Sequence, residues 1–256
     1  MEKRSISIKI LLLAVCCSFF WTFPPSAQSF PRFDIMTENW APYNFSRDGK
    51  TQGIAVDLLV EMLKRAGSEQ TIDDIKIVSW PRGYGLVTRE SNTMLFSMTR
   101  TEEREKLFKW VGPIAENVTE LIARKDKHIQ ISSIADIQKY KVATIIDDVG
   151  EQLLLGKGVP LSNLYRVVNR DQVQHLLSIN RVDLSIGSSQ GFRSFALAAG
   201  YNPDDYESVF VLNRDVISYA FHKETPDSVI QALQKALKDL KAEGIYDKIV
   251  EKYQEE

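Results

Sequence analysis

The chain has 256 residues, of which 44% are hydrophobic and 26% are charged, and its formal net charge is −2 at pH 7. This balance, with Lys and Arg dispersed along the chain, argues against a nucleic-acid-binding surface, which would gather basic residues in one stripe. After removal of a short leader, enough residues remain for one large or two small hydrophobic cores, at roughly 100 to 200 residues per domain.

The N-terminus has the pattern of a secretory signal peptide. Basic residues precede an apolar run over 10–23, and small residues follow at Ala27 and Ser29. We expect cleavage after Ala27, or alternatively after Ser29, so that 1–27 is the signal peptide and the mature protein is periplasmic. The apolar run is shorter than the span of about 20 residues that a membrane helix needs, which favours export over anchoring. Both cysteines lie in this leader, so the exported chain would carry no disulfide.

The exported chain begins with strand-like and helix-like segments in alternation. In chain order, the strand-like segments are 31–37, 74–79 and 93–98, and the helix-like segments are 53–67 and 81–90. This alternation predicts an α/β fold with a mainly parallel sheet.

A second block of the same kind follows residue 130. Its predicted strands are 141–146, 164–168 and 182–187, and its predicted helices are 148–156, 170–180 and 188–200. Two further strand-like segments border the block, at 117–125 and 215–223. Each is long enough to cross between two lobes.

The C-terminal tail, 226–256, is amphipathic, with Pro226 at a first-turn position and apolar residues at helical spacing. We expect it to return to the first lobe. The predicted organisation is therefore two α/β lobes with mainly parallel sheets, joined by two crossing strands with a cleft between them. The predicted boundaries are 28–122 for the first part of lobe 1, 123–216 for the inserted lobe 2 and 217–256 for the return to lobe 1.

The segment 97–113, SMTRTEEREKLFKWVGP, places a cation where a helix begins. Thr101 has the character of an N-cap, because a hydroxyl residue there precedes acidic residues at Glu102 and Glu103. A capping box would require Glu or Gln three residues after the cap, but Arg104 stands there instead. The arrangement concentrates positive potential at one point of the chain. Pairing with the neighbouring glutamates at the surface is the alternative explanation.

These segments together resemble the extracytoplasmic solute-binding proteins of the amino-acid type, family 3, which serve ABC importers. The matching stretches occur in the same order over nearly the whole exported chain: 38–67, 97–113, 141–152, 181–186 and 244–253. The resemblance implies a type II periplasmic-binding fold that clamps a small solute between its lobes. It also implies an inner-membrane ABC permease as partner, a monomer, and neither cofactor nor metal.

In this family the T-x-x-R motif supplies the residue that grips the solute carboxylate, and here it falls on Thr101 and Arg104. The resemblance implies that Thr99 adds a hydrogen bond from its hydroxyl and that groups near Ser97 add others. The chemistry agrees, because a guanidinium presents a planar fork that suits a carboxylate, and the N-terminus of a helix adds N–H donors.

Four aromatic residues could line the first-lobe side of the cleft: Trp40, Tyr43, Trp80 and Tyr84. The resemblance places Tyr43 where relatives often pack a ring on the solute, and we expect Tyr43 and Trp80 to make such contacts, with core packing as the alternative. Arg82 is a candidate for a second cationic contact, or else a solvated residue in the first turn of a helix.

The second lobe departs from the pattern of relatives that bind α-amino acids. These usually have a Gly-Thr-Thr turn after the first strand of the lobe, whereas this chain has Asp-Asp-Val-Gly from Asp147. They also commonly carry an Asp five residues after the position of Asp183, where this chain has Ser188. Asp147 or Glu38 could bind a cationic group instead. A small organic anion, a peptide fragment or a modified amino acid therefore stays open as the solute.

A serine hydrolase is a rival hypothesis. The sequence GSSQG at 187–191 fits G-x-S-x-G, with Ser189 as the nucleophile. Its partners would have to be Asp205 or Asp215 and then His222. The location of His222 in a predicted crossing strand argues against this reaction.

Two other hypotheses share the predicted fold. One is a periplasmic dehydratase of cyclohexadienyl substrates, which uses a carboxylic acid in the second lobe, but 184–203 contains neither Asp nor Glu. The other is a soluble sensory partner of a membrane receptor, which stays open. The three histidines are isolated along the sequence, so no metal site is expected.

Overall fold

The computed structural model describes residues 30–254, so the predicted signal peptide, 1–27, lies outside the described residues. The strands are β1 Asp34–Thr37, β2 Phe45–Arg47, β3 Lys50–Gln52, β4 Ile75–Ile77, β5 Thr93–Arg100, β6 Phe108–Arg124, β7 Val142–Ile145, β8 Leu164–Val167, β9 Leu184–Gly187 and β10 Tyr206–His222. The helices are α1 Ile54–Arg65, α2 Trp80–Arg89, α3 Glu102–Glu105, α4 Ile134–Ile137, α5 Val149–Gly156, α6 Arg170–Ser178, α7 Ser189–Ala198, α8 Asp227–Ala242 and α9 Ile245–Gln254. No helix in this part of the chain is long and apolar enough to cross a membrane.

The main sheet has the strand order β4-β1-β5-β10-β6-β9-β7-β8. Its outer pairs are parallel on both sides, and the pairs β5-β10, β10-β6 and β6-β9 are antiparallel. This arrangement confirms the predicted α/β class with two lobes joined by two crossing strands. The two crossing strands, β6 and β10, lie at the centre of the sheet and pair along their length. The parallel strands of lobe 1 lie on one side of them and those of lobe 2 on the other, with the cleft between the lobes.

The crossing strands are much longer than predicted. β6 and β10 each have 17 residues, whereas the sequence predicts about nine for each. Gly112 and Pro113 lie inside β6, and a proline is ordinarily a reason to end a strand. Pairing with β10 on both sides of Pro113 carries the strand past it. The predicted lobe boundaries fall inside these two strands and remain predictions.

The C-terminal tail returns to the first lobe, as predicted. Val229, Leu233 and Leu237 of α8 are buried in the same apolar cluster as Leu58 and Met62 of α1. The tail forms two helices, because Gly244 has a φ of 71°, a left-handed conformation that ends α8.

The β2-β3 hairpin is not among the predicted elements. Its two strands are only three residues each and are joined through Asp48 and Gly49, whose φ angles are 53° and 75°. Asp-Gly is a strong local signal for a turn with two positive φ angles, so the sequence contained the information.

Candidate functional site

Arg104, the predicted anchor residue, lies where lobe 1 meets lobe 2. The hydroxyl of Thr101 accepts a hydrogen bond from the backbone N–H of Arg104 at 3.4 Å, which confirms the predicted N-cap. The helix that follows has only four residues, so the contribution of a helix dipole is smaller than the sequence analysis assumed. Arg104 is 0% exposed, which excludes the surface ion pair considered as its alternative.

The guanidinium of Arg104 connects the two lobes. Within lobe 1, Nη1 donates to the carbonyl oxygen of Thr99 at 3.2 Å. Toward lobe 2, Nη2 donates to the carbonyl oxygen of Asp147 at 3.2 Å, and Nε donates to Oε1 of Gln152 at 3.0 Å. These acceptors are neutral. Burial lowers the pKa of Arg104, and the negative charge of Asp148 acts in the opposite direction.

Two aromatic rings hold the Arg104 guanidinium from the side of lobe 1. The carbon Cζ of Arg104 lies 5.4 Å from the ring centre of Trp80 and 5.1 Å from that of Tyr84, within the range of a cation–π interaction. The two rings are stacked on each other, with centres 5.9 Å apart. Trp80, which the sequence predicted as an apolar wall of the site, therefore touches the cationic centre directly.

Asp147 contributes its backbone rather than its carboxylate to the contact between lobes. Its φ of 60° turns the chain sharply after β7. Its carbonyl oxygen accepts hydrogen bonds from Nε1 of Trp80 at 3.0 Å and from Arg104 and Gln152 at 3.2 Å. Its N–H donates to Oε2 of Glu151 at 2.8 Å, which fixes the turn.

Glu151 is buried and has its own partner, Arg166, which donates through Nε at 2.5 Å and Nη2 at 2.9 Å. Burial alone would raise the pKa of the Glu151 carboxyl, but the hydrogen bonds from Arg166 and from the Asp147 N–H outweigh it and hold the pKa below its ordinary value. A charged Glu151 thus supports the turn that presents the Asp147 carbonyl.

A second guanidinium lies in the cleft, and the sequence analysis did not identify it. Nη2 of Arg170, the first residue of α6, donates to Oε1 of Glu38 at 2.7 Å and lies 3.8 Å from Oδ2 of Asp148. Its Cζ lies 4.5 Å from the ring centre of Trp40. The sequence does contain a signal, because a capping residue, Asn169, stands before a helix with a cation in its first turn. Thr101 and Arg104 show the same combination of a cap and a first-turn cation.

Glu38 is buried, as a cleft residue of lobe 1 would be. Burial raises the pKa of its carboxyl, the charge of Arg170 lowers it, and the charge of Asp148 raises it, with a net upward shift. The structure therefore pairs Glu38 with a residue of this chain.

Two small adjoining cavities of about 20 and 10 Å³, each with room for about one water molecule, lie in the cleft. They share Arg170, Ile186, Gly187 and Ser188 in their lining. Several buried polar atoms around them have no hydrogen-bond partner among the described residues: Nε1 of Trp40, Nε of Arg170, Oε1 of Gln174 and Oγ of Ser185. Unpaired buried polar groups are costly, so the lining is suited to a polar occupant.

Ser188 lines both cavities, and Thr99 lines the second of them. The hydroxyl of Ser188 accepts from the N–H of Gly191 at 3.1 Å and so caps α7, in addition to facing the cleft. The hydroxyl of Thr99 lies 3.4 Å from Nδ2 of Asn117.

The other predicted site residues do not line these two cavities: Arg104, Trp80, Glu38, Asp147, Ser97, Tyr43 and Arg82. Ser97 is buried with a φ of 57°, and its hydroxyl has no partner among the described residues. Tyr43 belongs to the lobe 1 core, with its ring centre 5.0 Å from that of Trp40 in an edge-on contact. Arg82 is exposed on α2. Arg170 is the guanidinium that lines both cavities, and neither Arg104 nor Arg82 lines them.

The residues of the hydrolase hypothesis do not come together. The hydroxyl of Ser189 donates to the carboxylate of Glu120, which pairs with Val211 on β10. His222 ends the same strand eleven residues further on, in lobe 1, roughly 35 Å away at about 3.3 Å per residue. His222 therefore cannot serve Ser189 as a base.

Comparison with known proteins gives a consistent result. The family model described as bacterial extracellular solute-binding proteins, family 3, matches residues 35–256. A probable histidine-binding protein of Campylobacter jejuni is 23% identical over 227 residues, which cover 84% of this chain and 82% of that protein.

Solved structures share the fold over nearly the whole chain. A mutant of ArgBP from T. maritima has a TM-score of 0.75 at 23% identity, with 88% of this chain and 96% of that chain covered. The arginine-, lysine-, histidine-binding protein ArtJ from Geobacillus stearothermophilus has a TM-score of 0.74 at 16% identity, with 88% and 96% covered. At these identities the likeness establishes the two-lobed fold.

Proposed function

The chain belongs to the bacterial extracellular solute-binding proteins, family 3, and from this premise we propose that it captures a small carboxylate-bearing solute, an amino acid or a related compound, for an ABC importer. The proposed site is the cleft between the lobes, and the proposed anchor for the carboxylate is Arg104. The proposal includes an inner-membrane permease as partner and a monomeric binding protein.

One observation carries the proposal: a fully buried guanidinium at the meeting of the two lobes has only neutral hydrogen-bond acceptors within 30–254. Arg104 donates to two backbone carbonyls and one side-chain amide. A carboxylate would form charge-assisted hydrogen bonds that are roughly twice as strong as neutral ones. It would therefore displace the Asp147 carbonyl and the Gln152 amide from the guanidinium.

The proposed mechanism is hinge closure about the two crossing strands. Contacts between lobes that exist only when the lobes are together favour the closed form: Trp80 with the Asp147 carbonyl, and Arg170 with Glu38. A solute that docks on the lobe carrying Arg104 and then contacts Ser188 from the other lobe would add to them. The lobe divisions near residues 122/123 and 216/217 belong to this proposal.

The test compares Arg104→Ala with Arg89→Ala, which changes an exposed arginine on α2 of the same lobe. Protein exported from the full-length gene is titrated calorimetrically with amino acids and small organic acids. Loss of one partner of a buried charge-assisted pair costs about 2–5 kcal/mol, so we expect Arg104→Ala to weaken binding about 30- to 4,000-fold. Arg89→Ala should bind as the wild type does. Equal binding by all three proteins would contradict the proposed role of Arg104.

We propose binding without turnover. Prephenate and arogenate are the candidate substrates of the dehydratase hypothesis. When each is incubated with the exported protein, NMR of the recovered compound should show that it is unchanged. Sequencing the N-terminus of the exported protein would distinguish cleavage after Ala27 from cleavage after Ser29.

A soluble sensory partner of a membrane receptor would have the same fold. That role would be supported if the protein binds the solute but cells that lack the protein still take the solute up at the normal rate.

A further inference from the structure

The face of Trp40 and the carboxylate of Glu38 form a cage for a guanidinium in lobe 1. An aromatic face with a carboxylate beside it is a favourable environment for a planar cation. The occupant is the protein's own Arg170, which reaches in from lobe 2 with Cζ 4.5 Å from the ring centre and Nη2 2.7 Å from the carboxylate.

The cage is a rigid part of lobe 1. Trp40 is 5% exposed and packs edge-on against Tyr43, whose ring centre is 5.0 Å away. The carbonyl of Glu38 accepts a hydrogen bond from Nδ2 of Asn44 at 2.7 Å, which holds the backbone beside the ring. Because the walls belong to one lobe and Arg170 to the other, the cage is filled only when the lobes close.

We propose that Arg170 determines the selectivity of the cleft by filling the position that a cationic side chain of the solute would otherwise take. This inference rests on the proposed function, since it concerns the solute bound by that same cleft. The closed protein then accepts carboxylates whose other end is neutral or anionic and discriminates against arginine and lysine. The relatives named for basic amino acids would differ from this chain at that point.

The unpaired atoms around Arg170 indicate what the other end of the solute offers. Nε of Arg170 donates to no described residue, and this side chain lines both cavities. Ser185 can donate as well, and Oε1 of Gln174 can accept. A carbonyl or hydroxyl oxygen on the solute would satisfy the Arg170 donor, whereas a second guanidinium or ammonium would face the like charge of Arg170, which the carboxylate of Asp148 at 3.8 Å offsets only in part because it already lies beside Arg170.

The first measurement uses the wild-type protein and two probes of nearly equal shape, L-arginine and its uncharged counterpart L-citrulline. We expect citrulline to bind at least tenfold more tightly than arginine in calorimetric titrations. Binding of arginine as tight as that of citrulline would overturn the inference. Because both probes carry the same α-carboxylate, the comparison separates the selectivity of the cage from the role of Arg104.

The second measurement empties the cage with Arg170→Ala and probes it with ethylguanidinium, which has no carboxylate, against neutral ethylurea. The melting temperature of Arg170→Ala should rise saturably with ethylguanidinium and not with ethylurea, and the wild type should show no such difference. The double variant Glu38→Gln/Arg170→Ala should lose the response, because the carboxylate is gone. No specific rise in Arg170→Ala would overturn the inference.

These arms separate the two proposals. If no carboxylate binds the wild type, the proposed function fails, while the ethylguanidinium experiment still tests the cage. If Arg170→Ala does not fold, the citrulline and arginine titration of the wild type decides the inference without it.

Discussion

Gly191, in the first turn of α7, lies close against Trp40 of lobe 1. A Cβ added at Gly191 would lie 2.5 Å from Nε1 of Trp40 and 2.9 Å from Oγ of Ser188. The favourable separation of non-bonded heavy atoms is about 3.5–4.0 Å, so the methyl group would overlap the ring by about 1 Å. The hydroxyl of Ser188 can rotate away within its own lobe at the expense of its cap on α7, but the indole is held between Tyr43 and Arg170.

Gly191→Ala should therefore oppose closure without damaging either lobe. Overpacking of this kind costs about 1–3 kcal/mol, which corresponds to a rise in the dissociation constant of about 5- to 150-fold. The melting temperature measured without solute should fall only slightly, because the open form is free of the Trp40 clash, and the weakened Ser188 cap, which costs about 1 kcal/mol, is partly offset by the better helix propensity of Ala. Calorimetric titration with the solute, thermal unfolding and small-angle scattering for the radius of gyration measure the three effects.

Two other glycines of lobe 2 provide matched controls. A Cβ at Gly156, the last residue of α5, meets no atom within 4 Å, so Gly156→Ala should leave the dissociation constant unchanged. A Cβ at Gly150 would lie 2.7 Å from Ile186 of the same lobe, so Gly150→Ala should lower the melting temperature itself. If Gly191→Ala binds the solute as tightly as Gly156→Ala and is equally compact, the argument that closure brings α7 onto Trp40 is refuted.

Two further predictions concern the support of the Asp147 turn. Glu151→Gln should destabilise the protein by about 1.5–3 kcal/mol at pH 7, because it loses charge-assisted bonds with Arg166. The pKa of Glu151 in the folded state is lowered, so the difference in stability between the wild type and Glu151→Gln should be present in full above the ordinary pKa of 4.5. The difference should disappear as the pH falls toward the lowered pKa. A difference in denaturation midpoints between the two proteins that does not change with pH would contradict this. Trp80→Phe removes the hydrogen bond to the Asp147 carbonyl and should weaken solute binding by about 1 kcal/mol, roughly fivefold. Trp110→Phe is its control, because that indole N–H is buried without a partner among the described residues, and equal affinities for the two variants would argue against the bond as a closure contact.

Much of the fold was predictable because it depends on local periodicity. The spacing of apolar residues predicted α1 and β5 within a few residues, and the amphipathic tail predicted a return to lobe 1. The length of the crossing strands was not predictable in the same way. β6 passes Pro113 because β10 pairs with it on both sides, and a pairing partner about 100 residues away leaves no mark in the local pattern.

In the candidate site, too, the local features were predictable and the long-range contacts were not. The N-cap at Thr101 and the unusual cation at Arg104 were predictable from the sequence, because capping is a relation between residues three apart. The carbonyl contacts of Asp147 and the position of Arg170 in the cage of Trp40 and Glu38 follow from the packing of the two lobes. The pair between Arg170 and Glu38 joins residues 132 positions apart in the chain. Such a contact depends on how two lobes close on each other, which no local pattern of residue types encodes.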